Sequence, residues 1–407
     1  MKKTMLLILA VFALLLTACD NTPETVETAS GAPVGTEAFA LRVPPEDRNQ
    51  AFSIQSFVET PEGCYYGLVN RSMGGEMIYF CARGDNSFYP LCSKPNCRHE
   101  DQNCNAYAGD TFCYYDGALY ALTTSASNIS QWDVVKMNLD GTDHQVVATV
   151  NQRDYPKLMF SYTFHHGKLF LQGDSSYDVE RQQDNHLVVL NLADYTVTDY
   201  LLTEKVGHFY WYYKDKLYGP TFSTVVYDED EPLCDEKIVE VDVSTGAERV
   251  LLPRTVGGMY ATDSTLYYFE QDLSVLNTEQ ETFYEKTDPG FREMDLATGA
   301  VKDCGLPVAD IFWADYDEDF IYAGTYNEDS EGDHTLYLLS RAYELIDQIE
   351  LPDGLNITAV TSDRIYLRNT GLPTAPISCY IDKTQIGSHK LTLLPIETIR
   401  YGERGSE

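Results

Sequence analysis

Short hairpins recur along this chain about every 49 residues, and a period of that length restricts the fold more than any other feature. They read "FCYYDGALYAL", "FHHGKLFLQG", "FYWYYKDKLYG", "YATDSTLYYF", "ADYDEDFIYAG" and "VTSDRIYLR". The residue before the second-strand aromatic is Leu119, Leu169, Leu217, Leu266, Ile321 and Ile365, and "VETPEGCYYGL" places an earlier copy near Cys64. A second kind of hairpin follows each, as in "VVKMNLDGTDHQVVATV", "LVVLNLADYTVTDYLL", "KIVEVDVSTGAERVLL", "FREMDLATGAVKDC" and "LYLLSRAYELIDQIEL". Apolar alternation running into an Asp, Asn or Gly turn and out again predicts paired strands. "MIYFCARGDNSFYPL" fits as the first copy of this second hairpin and "KLTLLPIETI" as a degraded last one.

Four strands per repeat at this period is the size of a propeller blade. A blade cannot bury both faces alone, so a closed ring must supply the core. The expected fold is therefore all-β, a β-propeller over 51–400 with a short tail at 401–407. Seven blades are expected, near 51–109, 110–155, 156–204, 205–255, 256–308, 309–356 and 357–400, although six or eight would also close. Thirty tyrosines and 12% aromatic residues agree with a strand-rich body.

The chain opens "MKKTMLLILAVFALLLTACD". Lys2 and Lys3 precede an unbroken apolar run from Met5 to Leu16, too short for a helical span of roughly 20 residues and suited to the core of a secretory signal. Leu16-Thr17-Ala18-Cys19 resembles the bacterial lipobox, so residues 1–18 read as a lipoprotein signal peptide and Cys19 as the lipid attachment site. Two or more acyl chains hold a protein stably on a membrane. Residues 19–50, rich in Thr, Pro, Glu, Ala and Gly without apolar periodicity, read as a flexible tether. The expected location is the cell membrane, lipid-anchored on its outer, extracytoplasmic face.

A net charge of −34 makes nucleic acid and anionic headgroups unfavourable partners. Cations, basic peptides and neutral glycans remain open, as does a role for the acidity in solubility alone. Enzyme signatures such as Gly-x-Ser-x-Gly, His-Glu-x-x-His and a phosphate-cradling glycine loop are missing from the sequence.

The densest chemistry is in "LCSKPNCRHEDQNCNAY", where Cys92, Cys97, His99 and Cys104 offer the donor set of a structural Cys₃His zinc site. The spacing is looser than in standard zinc motifs. An extracytoplasmic location equally permits disulfides, and reduced, buried thiols are a third reading. The segment joins the outer strand of blade 1 to the inner strand of blade 2, which places it on the loop-rich face near the central channel. Together with Ala106 and Tyr107 these residues match a stretch found in a family that the chain resembles: lipoproteins of Gram-positive anaerobes with a propeller described as low-density-lipoprotein-receptor-related or TolB-like. The resemblance covers most of the mature chain and implies a fold and a location.

Long connections between second and third strands carry Trp132, Tyr177, Phe283, Tyr284 and Tyr326, which can stack on sugars or peptides or tuck against neighbouring loops. "DYDEDF" (Asp315, Asp317, Asp319) begins like a calcium loop, yet Phe320 stands where glycine is required, so a solvated hairpin turn is expected. Arg83-Gly84-Asp85 falls in a predicted turn, where Gly-Asp is expected for backbone reasons. The expected function is a membrane-anchored, non-catalytic propeller that binds or scaffolds an extracellular glycan, peptide or envelope protein. The second reading is a carbohydrate-active enzyme, a glycoside hydrolase or lyase using acids of the channel.

Overall fold

Seven blades follow one another along the chain, in the order that the repeat predicts: among the described residues six are four-stranded antiparallel sheets, and blade 1 is a sheet of six strands, its outer edge shared by two short strands and joined by one from the C-terminal end. The computed structural model describes residues 40–48, 56–70, 74–99, 101–125, 128–151, 160–173, 185–204, 206, 209, 211–221, 225–227, 232–234, 236–276, 286–325, 334–372 and 374–399. The first strands of the blades are Phe57–Thr60, Thr111–Tyr115, Phe160–His165, Trp211–Tyr213, Met259–Ala261, Ile311–Tyr316 and Leu355–Val360. Neighbouring first strands lie against one another, as those of blades 1, 2 and 3 do and those of blades 4, 5 and 6, so they surround the axis. Blade 4 adds a small hairpin, Val225–Tyr227 with Pro232–Cys234, between its second and third strands.

The repeat residues hold the ring together. Leu119, Leu169, Leu217, Leu266, Ile321 and Ile365 are all essentially inaccessible to solvent. Each packs in the apolar cluster shared with the preceding blade; Leu169, for example, meets Leu122, Val134 and Val150 of blade 2. Burial of an aliphatic side chain is worth about 1.5–3 kcal/mol, so this one position contributes that much to each interface beside the other apolar residues of its cluster. In blade 1 the equivalent residue is Cys64, which packs with Tyr366 and Tyr380 of blade 7.

Blade 7 departs from the reading of its last hairpin. Its third strand is Ile377–Asp382, and Leu394–Pro395 supplies only a two-residue fourth strand. The chain then crosses to blade 1, where Glu397–Thr398 pairs in parallel with Ser87 and Phe88. Around this junction the Glu59 carboxylate accepts from the Ser362 N–H at 3.0 Å, and Arg364 Nη1 donates to the Asp85 carbonyl at 2.7 Å. The ring thus closes through polar bonds, and through Ile396, buried among blade 1 residues.

A second departure concerns the segment assigned to the tether. Pro45–Asp47 forms a 3₁₀ turn, and residues 40–48 are bonded to the propeller by hydrogen bonds and ion pairs. Arg42, Asp47 and Arg48 supply the partners that composition alone does not reveal.

A candidate metal centre at the rim of blade 1

Ile78, in the middle of the third strand of blade 1 (Gly75–Ala82), marks where the outer edge of the blade is interrupted. Its carbonyl accepts from the Leu91 N–H at 2.9 Å, and its own N–H donates to the Ala106 carbonyl at 2.7 Å. Below that point the third strand pairs with Ser87–Pro90; above it, with Tyr107–Gly109. The outer strand is therefore split in two, and residues 91–106 form an excursion that leaves and returns at one residue. This corrects the expected position. The cysteine-rich loop sits on the strand farthest from the axis, at the rim, because it interrupts the outer strand instead of following it.

The loop folds back so that its four candidate ligands converge. Their donor atoms (Sγ of Cys92, Cys97 and Cys104 and a ring nitrogen of His99) all lie within 4.8 Å of one another. Tetrahedral zinc with Zn–S bonds of about 2.3 Å brings sulfurs to about 3.8 Å, so a small contraction would complete the cage. Cys92, His99 and Cys104 are buried, and Cys97 is half-buried. Positive φ at Asn96 (60°) and His99 (54°) makes the reversal that carries Cys97 and His99 back to the base.

The electrostatics suit thiolate ligands. The Cys92 thiol is held well below its usual range, chiefly by a hydrogen bond from Cys104, with further bonds from His99 and from the N–H groups of Lys94 and Asn105. Cys104 is pushed up by the same pairing and by burial, and its sulfur accepts from the Ala106 N–H at 3.4 Å. Cys92 and Cys104 thus each accept from the amide two residues on. Such amide donors stabilise sulfur-bound negative charge and orient metal ligands. His99 Nδ1 lies 3.2 Å from Cys104 Sγ. All three cysteines are free thiols, and these four residues can hold a metal ion such as zinc.

Blade 2 braces the loop. Gly141 has φ 74°, and a Cβ there would meet the carbonyl oxygens of Leu91 at 2.6 Å and Asn105 at 2.7 Å. His144 Nε2 lies 3.2 Å from the Asn105 carbonyl. On the other side Asn70 Nδ2 donates to the His99 carbonyl at 3.4 Å.

The remaining candidates separate. Trp132 is buried with Leu122, Val150 and Leu171 between blades 2 and 3, so it is core and not a stacking platform. Its place on the third strand, Asn128–Met137, turns the ring into that interface. Cys19, Tyr177, Phe283, Tyr284 and Tyr326 lie outside the described residues. The Asp317 turn is not solvated as expected. Its carboxylate is buried and accepts from the Asp319 and Phe320 N–H groups, the Tyr322 hydroxyl and Lys383 Nζ at 2.6–2.8 Å. Burial alone would raise it, but Lys383 and these donors hold Asp317 below the usual carboxylate range. Arg83 is turned inward, paired with Glu59 at 3.0 Å and Asp363 at 3.3 Å. Cys64 and Cys81 face each other across the second and third strands of blade 1, both buried and unbonded.

No family model matches the chain, and no curated protein sequence matches it. Solved structures do. A prolyl endopeptidase aligns over 85% of this chain and 50% of its own at 10% identity, with a TM-score of 0.51. The β-propeller domain of the Trilobed protease from Pyrococcus furiosus aligns over 86% and 98% at 10% identity, with a TM-score of 0.47. TolB from Acinetobacter baumannii aligns over 71% and 63% at 9% identity, with a TM-score of 0.35. At such identities the likeness is one of fold.

Proposed function

We propose that this chain is a binding or scaffolding module, a propeller held by a lipid at Cys19 on the outer face of the cell membrane and engaging a basic peptide or protein surface. The observation that carries this reading is the inequality of the two faces. First and second strands are joined by tight turns, whereas the second strands of blades 3 to 6 end, and their third strands begin, on the opposite side, and the sequence connecting them is 174–184, 221–237, 271–289 and 326–333, most of it outside the described residues. Those four connections carry 19 acidic residues against three basic ones. Concentrated negative charge on one side of a rigid scaffold attracts cationic partners and speeds their association. Binding of a lysine-rich peptide to the full chain, followed by calorimetry at low and high salt, tests it. Tight binding that weakens steeply with salt supports the reading. Indifference to the peptide, or turnover of an oligosaccharide by the same preparation, overturns it.

Within this module the Cys₃His set is assigned a structural zinc. The ion would pin the two halves of the split outer strand together, since Cys92 and Cys104 stand beside the two points at which the loop leaves and rejoins it. A closed four-ligand site leaves no open position for substrate, so the role is to order the rim.

A further inference from the structure

The first and second strands of each blade are joined by short turns, and together these ring one mouth of the channel. Residues 40–48 bind this ring at widely separated points. Arg42 pairs with Asp319 in the turn of blade 6. The Glu46 carbonyl accepts from the His166 N–H in the turn of blade 3 at 2.6 Å, and the Asp47 carboxylate pairs with the His166 ring. Arg48 donates to the Val360 carbonyl of blade 7 at 2.9 Å and pairs with the buried Glu59 of blade 1, also at 2.9 Å. Pro45–Asp47 also packs against the first strand of blade 2. Blades 3 and 6 are three apart, the largest separation in a ring of seven. A chain that goes from one to the other between Arg42 and Asp47 must cross the axis.

We infer that residues 40–48 are a built-in seal, closing the channel at the inner-turn mouth and clasping five blades. Ligands then reach the channel only from the opposite face, the one bearing the long acidic connections. The choice of partner at that face rests on the proposed binding role; the seal does not. The chemistry fits a permanent device. Arg48 shares with Arg83 the neutralising of the Glu59 carboxylate, which is fully removed from solvent, and loss of a partner from a buried ion-pair group is costly. The bonds to His166 satisfy a turn amide that would otherwise face water.

The ring supplies its own control. His166 opens the two-residue turn of blade 3, and Lys214 holds the same position in blade 4, which the segment does not reach. Residue-resolved hydrogen exchange on the full chain should show the His166 amide at least about tenfold slower than that of Lys214. In an Arg42→Ala/Asp47→Ala variant, which keeps the Arg48–Glu59 pair and so the fold, that protection should fall to the Lys214 level. Hydroxyl-radical oxidation of Tyr114, beside Glu46, should rise severalfold in the same variant, while Tyr89 on the outer strand is unchanged. Equal exchange at His166 and Lys214 in the wild-type chain, or unchanged Tyr114 oxidation in the variant, would overturn the seal.

Discussion

Glu76 shows what a single buried carboxyl does to this ring. It stands at the start of the third strand of blade 1, where the missing side chain of Gly67 leaves room for it. Its Oε1 accepts from the Ser56 N–H at 3.2 Å, while Oε2 has no partner among the described residues. Burial pushes its pKa from 4.5 up to about 7, against the lowering effect of Ser56. The unfolded chain releases this proton near 4.5 and the folded chain only near 7. The folded state therefore holds the extra proton between those values, and stability should fall as pH rises through that window, by up to about 3 kcal/mol. Glu76→Gln should flatten this part of the profile and leave the variant more stable than wild type at pH 8, as denaturant melts at pH 5 and pH 8 will show. Asp317 is the opposite case, a carboxylate kept ionised by Lys383. Lys383→Met should cost about 3–5 kcal/mol by leaving that charge buried without its cation, measurable in the same melts. "DYDEDF" gave a turn correctly and its burial incorrectly, because Lys383 is 66 residues away in sequence.

At the level of the element, the split outer strand of blade 1 is the feature that the sequence could not display. The repeat was legible because tight hairpins and one inward apolar residue per blade are local patterns, and Leu119 to Ile365 all fall where periodicity puts them. Cys92, Cys97, His99 and Cys104 were legible as a donor set, but not their place at the rim. Tyr107–Gly109 is only three residues long, and its return to Glu76 and Met77 depends on pairing at a distance. The seal was hidden for a similar reason, since "LRVPPEDR" has no apolar period and its partners come from five blades. If metal holds the two half-strands together, Cys92→Ser should raise amide exchange across 91–109 by tenfold or more while the core strands of blades 3 to 6 stay protected. The parallel strand Glu397–Thr398 makes a separate prediction. Truncation after Leu393 removes it together with buried Ile396, and should lower the thermal midpoint by several degrees at unchanged zinc content.

As a whole molecule, the chain is a ring with two unlike mouths. One is crossed by residues 40–48; at the other the second strands of blades 3 to 6 run out into acidic sequence; the metal candidate lies on neither, but on the outer edge. Such an arrangement separates tasks: the repeat interfaces supply stability, the seal and the C-terminal strand fix closure, and the rim loop braces blade 1 against blade 2 through Gly141. What the rim loop does depends on whether it is a metal centre, as proposed, or a disulfide knot or a set of idle thiols. Native mass spectrometry of the intact purified chain, before and after chelation, decides this in one experiment, with the His99→Ala chain alongside. The expected result is one zinc per chain, lost on chelation and absent from the variant, with all three rim thiols then alkylated without reduction. A metal-free native mass, or a bond between any two of Cys92, Cys97 and Cys104, would contradict it.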